Sequence, residues 1–183
     1  MRLVPSPLNP SLRMTMKHQA ALLSSRRGFS LIEILVVIAI ILVIAALAVP
    51  SFLRSKMRAN EAAVVGALRS ITTANETYQS NYSQGYAPNL ASLAPPPVGT
   101  PTGPAAAGLV DPTLGGGTRN GYKFIYTAID SDGNGQPEEY MVNANPVQVG
   151  STGEKYFYVD NTNVIRESLT GPADKNSPPV PKQ

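Results

Sequence analysis

The 183 residues contain no cysteine and no tryptophan, and the one histidine, His18, lies near the start. Without thiols there is no disulfide framework, thiolate metal site or cysteine nucleophile. Without an imidazole after residue 18, the most frequent general base is missing from most of the chain. There is no phosphate-cradling glycine loop, nucleophile triad or metal-ligand histidine cluster either, so an enzyme is not expected. Acidic side chains are absent before Glu33, whereas five of the 15 basic ones fall there: Arg2, Arg13, Lys17, Arg26 and Arg27. Beyond Gly28 the count is ten basic against twelve acidic side chains, a net of −2. The pI of about 9.2 is therefore a property of the first 28 residues and gives no argument for nucleic-acid binding.

What is abundant is apolar, and it is concentrated. Residues 26–50 read RRGFSLIEILVVIAIILVIAALAVP, with 16 consecutive residues lacking a polar side chain from Ile34 to Val49. As a helix, Phe29–Val49 measures about 31 Å, roughly one bilayer core. An ordinary export signal is one reading, with Ala45-Ala46-Leu47-Ala48 as its cleavage site. Three features favour another. The sharp boundary, Arg27-Gly28-Phe29, precedes the apolar run. Glu33 is an ionisable group inside it, expensive in hydrocarbon unless paired. Helix-forming residues also continue past Pro50 to about Tyr82, which a discarded signal does not need.

Arg26-Arg27-Gly28-Phe29-Ser30-Leu31-Ile32-Glu33 resembles the class III prepilin signal of type IV pilins and type II secretion pseudopilins. The resemblance implies cleavage after Gly28 by a prepilin peptidase, which then methylates the new terminus, Phe29. It implies a role for Glu33 in assembly, its carboxylate neutralising the terminal amine of a neighbouring copy. Pairing with its own amine, one helical turn away, is the plainer alternative. Pro50 stands where the family often has a helix-bending proline, and Leu42 replaces its frequent mid-helix glycine. The implied partners are the peptidase/methyltransferase, further copies in a helical homopolymer, an inner-membrane assembly platform and minor pilins. The implied location is a single inner-membrane pass with the leader cytoplasmic, followed by a pilus or a periplasmic pseudopilus. Met14 and Met16 are alternative starts to Met1.

The expected fold class is α+β: a long N-terminal helix packed on a small antiparallel sheet of three or four strands. Residues 1–28 are expected as leader, 29–50 as the transmembrane or filament-core half of the helix, and 51–82 as its amphipathic half. Val64, Leu68, Ile71, Asn75, Tyr78 and Tyr82 recur at intervals of three and four and mark its buried face. Gly85 and Pro88 end it. Residues 83–120 read as a surface-laid loop with one short helix in 105–114. Residues 121–168 read as the sheet, with strands in 121–129, 138–146, 155–160 and 163–167. On the first of these, Tyr122, Phe124 and Tyr126 share a face. Proline-rich 169–183 reads as a flexible tail.

One further pattern lies between the first two strands. Asp130, Asp132, Asn134, Gln136 and Glu138 alternate oxygen-bearing side chains around Gly135, like the first half of an EF-hand-type loop, which makes calcium a candidate cofactor. The twelfth position is Met141 where a bidentate glutamate is required, and a hairpin turn favours the same residues. The expected function is that of a structural subunit of a type IV pilus-like filament. A type II secretion pseudopilin is the alternative within the family, and a pilus-tip module binding DNA or surfaces the alternative from another class.

Overall fold

The computed structural model describes residues 28–181. The expected leader, its arginines and the alternative starts lie outside the described residues, Gly28 apart. The chain divides into two compact units between Leu42 and Val43. Helix α1, Leu31–Tyr82, contributes to both.

In residues 28–42, Gly28, Phe29 and Ser30 precede the helix, and the Ser30 carbonyl accepts the amides of Glu33 (3.0 Å) and Ile34 (3.2 Å). Every side chain here is exposed.

In residues 43–181 the buried face of α1 begins at Met57. Val64, Leu68, Ile71, Asn75 and Tyr78 are sealed, as the three-and-four spacing predicts, and Tyr82 packs at the margin. The helix ends where Ser83 adopts a left-handed conformation (φ 52°), its amide closing on the Gln79 carbonyl (3.0 Å). Gly85 serves the next turn. Its φ is +73°, and a Cβ there would overlap the Pro137 carbonyl, whose oxygen accepts the Tyr86 amide (2.8 Å).

The sheet is a five-stranded antiparallel meander in sequence order: β1 Thr118–Arg119, β2 Tyr122–Ile129, β3 Glu139–Pro146, β4 Tyr156–Asp160 and β5 Arg166–Ser168. Five strands replace the expected three or four. The extra one is a two-residue edge too short to leave a periodic signal. The last begins at Arg166, because Asn163 takes a left-handed turn (φ 61°). Alternation puts Tyr122, Phe124 and Tyr126 of β2 inward, with Tyr140, Val142 and Ala144 of β3 and Phe157 and Val159 of β4. These pack against the α1 stripe, and each fully buried apolar side chain contributes about 1.5–3 kcal/mol.

Two expectations change. The 83–120 segment carries two short helical turns, a 3-10 turn at Leu90–Leu93 and α2 at Pro112–Gly115. Asp111 caps α2 by accepting the Thr113 and Leu114 amides, which explains why the turn starts at 112 and not 105. Residues 107–110 instead run beside the 3-10 turn, the Ala107 and Leu109 amides bonding the Ser92 and Leu93 carbonyls (both 2.8 Å). The tail expected to be flexible is held. Glu167 donates its amide to the Pro178 carbonyl and Val180 to that of Ile165 (both 2.9 Å). Asn143 Nδ2 donates to the Ala173 carbonyl (2.7 Å), and Ala173 itself is buried. Prolines 178, 179 and 181 thus lie along the β5 edge, where missing N–H groups discourage further strand pairing.

Candidate functional site

The first candidate is the N-terminal segment. Gly28 and Phe29 lie in exposed, non-helical chain, with Phe29 77% exposed. A peptide in that state can enter a peptidase cleft without unwinding a helix. Glu33 occupies the first turn of α1, where a carboxylate is favoured by the free amides and the helix dipole. Its side chain is exposed and hydrogen-bonds no residue among those described. Around it, among the described residues, seventeen of the twenty-three exposed large apolar side chains lie between Phe29 and Leu53. Soluble monomers rarely leave such a surface uncovered, and α1 holds a segment long and apolar enough to cross a membrane. Pro50 lies within the helix without interrupting it. Having no N–H, it leaves the Ala46 carbonyl without its intrahelical donor.

The second candidate is the turn joining β2 and β3. Carboxylate oxygens of Asp130, Asp132 and Glu138 lie within 4.8 Å of one another, all three residues exposed. Most of their hydrogen-bonding capacity is directed to the turn itself. Asp130 accepts the amides of Gly133 (2.9 Å), Asn134 (3.2 Å) and Gly135 (2.8 Å), and Glu138 accepts that of Ser131 (2.8 Å). Asn134 donates through Nδ2 to Asp132 (2.8 Å), while its own Oδ1 accepts the Gln136 amide (2.7 Å). These backbone donors, that of Gly135 foremost, hold the Asp130 carboxyl below the usual carboxylate range. Of the five residues singled out by spacing, three carboxylates converge and Asn134 joins them through Asp132. Gln136 is tied in by its backbone amide. Met141, at the twelfth place, is a β3 residue paired with Thr127 and offers no oxygen from its side chain.

Sequence reasoning passed over the polar contacts that fix α1 to the sheet. Asn60 donates to the Thr152 carbonyl (2.8 Å), Glu61 accepts the Glu154 (2.8 Å) and Lys155 (3.2 Å) amides, and Asn163 donates to Glu76. Nothing in local spacing marks these residues, because their partners lie about 90 positions away.

Residues 23–49 match the family model described as the prokaryotic N-terminal methylation motif. The chain is also 40% identical over 67 residues to the type IV wide pilus major component PilA4 of Thermus thermophilus. That match takes in 37% of this chain and 50% of the relative, so the chain spans about half the length of the curated relative. No solved structure matches it. The methylation motif thus overlies the head of an exposed apolar helix that runs on into an α+β unit, and over part of its length the chain is similar to a type IV pilin.

Proposed function

We propose that the protein is a structural subunit of a type IV pilus-like filament, cut after Gly28, methylated at Phe29 and assembled through its N-terminal helix. The observation that carries this reading is the uncovered apolar surface of Phe29–Leu53, most of which falls within the methylation-motif match at residues 23–49. Before assembly that surface lies in the inner membrane, with the basic leader cytoplasmic and the sheet outside; afterwards neighbouring helices cover it. Cleavage creates an amine at Phe29, and Glu33 of an adjacent copy neutralises it, which sets axial register. Pro50 lets the helix bend as it packs. The partners are the peptidase, further copies, an assembly platform and minor pilins. A pilus is preferred to a secretion pseudopilus because the matched relative is named as a major pilus component.

Mass spectrometry of the exported chain tests the processing: a terminus at N-methylated Phe29 is expected, and an intact Met1 refutes it. Electron microscopy of a deletion strain tests the assembly, which requires loss of surface filaments. Glu33→Ala is expected to be processed normally and to assemble poorly; wild-type filament yield from it removes the register role.

For the Asp130–Glu138 turn the preferred role is structural, its carboxylates capping backbone amides. Calcium is the second reading, supported by the convergence of Asp130, Asp132 and Glu138. A melting-temperature rise with millimolar calcium, absent with magnesium and lost in Asp132→Ala, establishes it. No rise leaves a hairpin turn.

A further inference from the structure

Arg54 and Arg58 stand one helical turn apart on an exposed face of α1, bordering a cavity of about 470 Å³ whose other walls include Met57, Lys155 and Leu169. Neither arginine forms an ion pair among the described residues. Arg119 pairs with Asp111, Lys155 with Glu167 (2.8 Å), and Arg166 donates to the Ser177 carbonyl (3.0 Å). Lys56, Arg69, Lys123 and Lys175 are, like the two arginines, in no ion pair among the described residues; Arg54 and Arg58 are set apart by bordering one groove together. Two carboxylates border the groove. Glu61 is engaged by the Glu154 and Lys155 amides, and Glu154 is exposed. The groove thus presents two unspent guanidinium groups, the side chains best suited to bidentate carboxylate recognition.

We infer that this groove receives the acidic β2–β3 turn of a second copy of the chain. The turn carries Asp130, Asp132, Glu138 and Glu139, all exposed and none in an ion pair among the described residues. It is fixed beside the far end of the same helix by the Tyr86 amide on the Pro137 carbonyl. From Arg58 and Arg54 to Tyr82, α1 rises about 36 and 42 Å. A copy displaced by about 40 Å along the helix axis therefore brings its arginines level with the turn of the copy it follows. Opposite charges on opposite ends of one unit make a heterologous contact, which extends into an open filament and does not close into a dimer. The contact is exposed and charge-driven, so it acts on docking direction and rate and weakens with salt. This inference rests on the filament reading and adds the interface to it.

The test uses the full chain in a host that processes it, with sheared filaments quantified and the Phe29 terminus verified by mass. R54E/R58E and E138R/E139R are each expected to cut filament yield by about tenfold or more, and their combination to restore it to within about threefold of the parent. Glu138→Arg gives up the Ser131 amide bond but leaves Asp130 with its three amide bonds, and Glu139→Arg alone, which touches none of the turn's bonds, checks that any loss is not misfolding of the turn. Wild-type yield from R54E/R58E overturns the inference. So does a processed R54E/R58E chain that fails to assemble, is not rescued by E138R/E139R and has lost binding to vesicles containing anionic phospholipid. That result makes lipid headgroups the occupant. If the processed parent forms no filament, the filament reading itself falls, and the interface with it.

Discussion

Asn75 is a fully buried amide in a helix, and replacing it tests how α1 is locked to the sheet. Its Oδ1 accepts the Tyr126 hydroxyl (2.8 Å) and the Ala87 amide (3.3 Å), and its Nδ2 donates to the Ile71 carbonyl (3.2 Å). The Tyr126 hydroxyl also reaches the Ala87 carbonyl (2.8 Å), so it keeps a partner when Asn75 is lost. The Ala87 amide does not, and Ala87 is wholly buried. Orphaning that amide costs about 1–3 kcal/mol, and the void left by Asn75→Ala adds about 1 kcal/mol. The expected loss is about 2–4 kcal/mol, a large share of the 5–15 kcal/mol typical of a domain. Tyr126→Phe leaves Asn75 Oδ1 with the Ala87 amide but takes from the buried Ala87 carbonyl its donor among the described residues, and is expected to cost about 1–3 kcal/mol.

Asn75→Leu separates the two contributions: it fills the space and still strands the amide, so its cost should remain above about 1 kcal/mol. The measurement is urea denaturation of the chain truncated to begin at Arg54, which keeps every buried residue of α1 from Met57 onward. With no tryptophan in the chain, far-UV circular dichroism follows the transition. Asn75→Leu within about 0.5 kcal/mol of the parent, with an unchanged slope, refutes the hydrogen-bond account.

Alkaline pH should unfold the same fragment. Burial raises the hydroxyls of Tyr122, Tyr126 and Tyr140, and that of Tyr158 to about 12. Tyrosines of the unfolded chain ionise near 10, so the stability tied to these groups is complete below that pH and lost above it. Each of them costs about 1.4 kcal/mol per pH unit until its folded value is reached; a flat stability profile from pH 10 to 12 contradicts this. Ser83→Gly relieves a left-handed serine at the helix end and should stabilise by about 0.5–1 kcal/mol, read as a rise in urea midpoint. Ending the chain at Gly171 removes buried Ala173 and the Val180 contact with their hydrogen bonds. It should cost about 2–4 kcal/mol and produce oligomers through the bared β5 edge, visible by size-exclusion chromatography.

The long periods were legible and the long-range pairings were not. The 3.6-residue stripe from Val64 to Tyr82 and the alternation of Tyr122, Phe124 and Tyr126 are local consequences of burying one face, so residue order reveals them. The step from basic to apolar residues at Gly28-Phe29 is also local in the sequence, and the family match at residues 23–49 overlies it. The held tail was not legible because its proline content signals irregular backbone, which is true, and says nothing of whether that backbone finds partners. It finds them in Ile165, Arg166, Glu167 and Asn143, a geometry that exists only once the meander has formed. The acidic turn was legible as a turn and as a set of carboxylates. Which backbone amides those carboxylates accept depended on the left-handed Gly133 and Gly135 (φ +73° and +80°), which spacing does not specify.

In the proposed filament, the apolar half of α1 cannot by itself determine how copies align. Its exposed side chains would leave lipid for contact with other helices, two environments of similar polarity, so the hydrophobic contribution to that transfer largely cancels. A smooth apolar cylinder also has many nearly equivalent registers. Discrimination then falls to groups whose energy changes steeply with position: Glu33 within the apolar segment, and the Arg54–Arg58 pair just beyond it. A buried carboxylate left without a cation costs several kcal/mol, whereas a misplaced exposed arginine loses about one at most. Glu33 should therefore decide whether a register is allowed, and the arginines how quickly a correct one is found. High salt separates the two. It should slow the appearance of filaments through the exposed pair and leave finished filaments intact, because Glu33 would by then be enclosed. Filaments that dissolve in molar salt would show that the exposed charges hold the register, against this ordering.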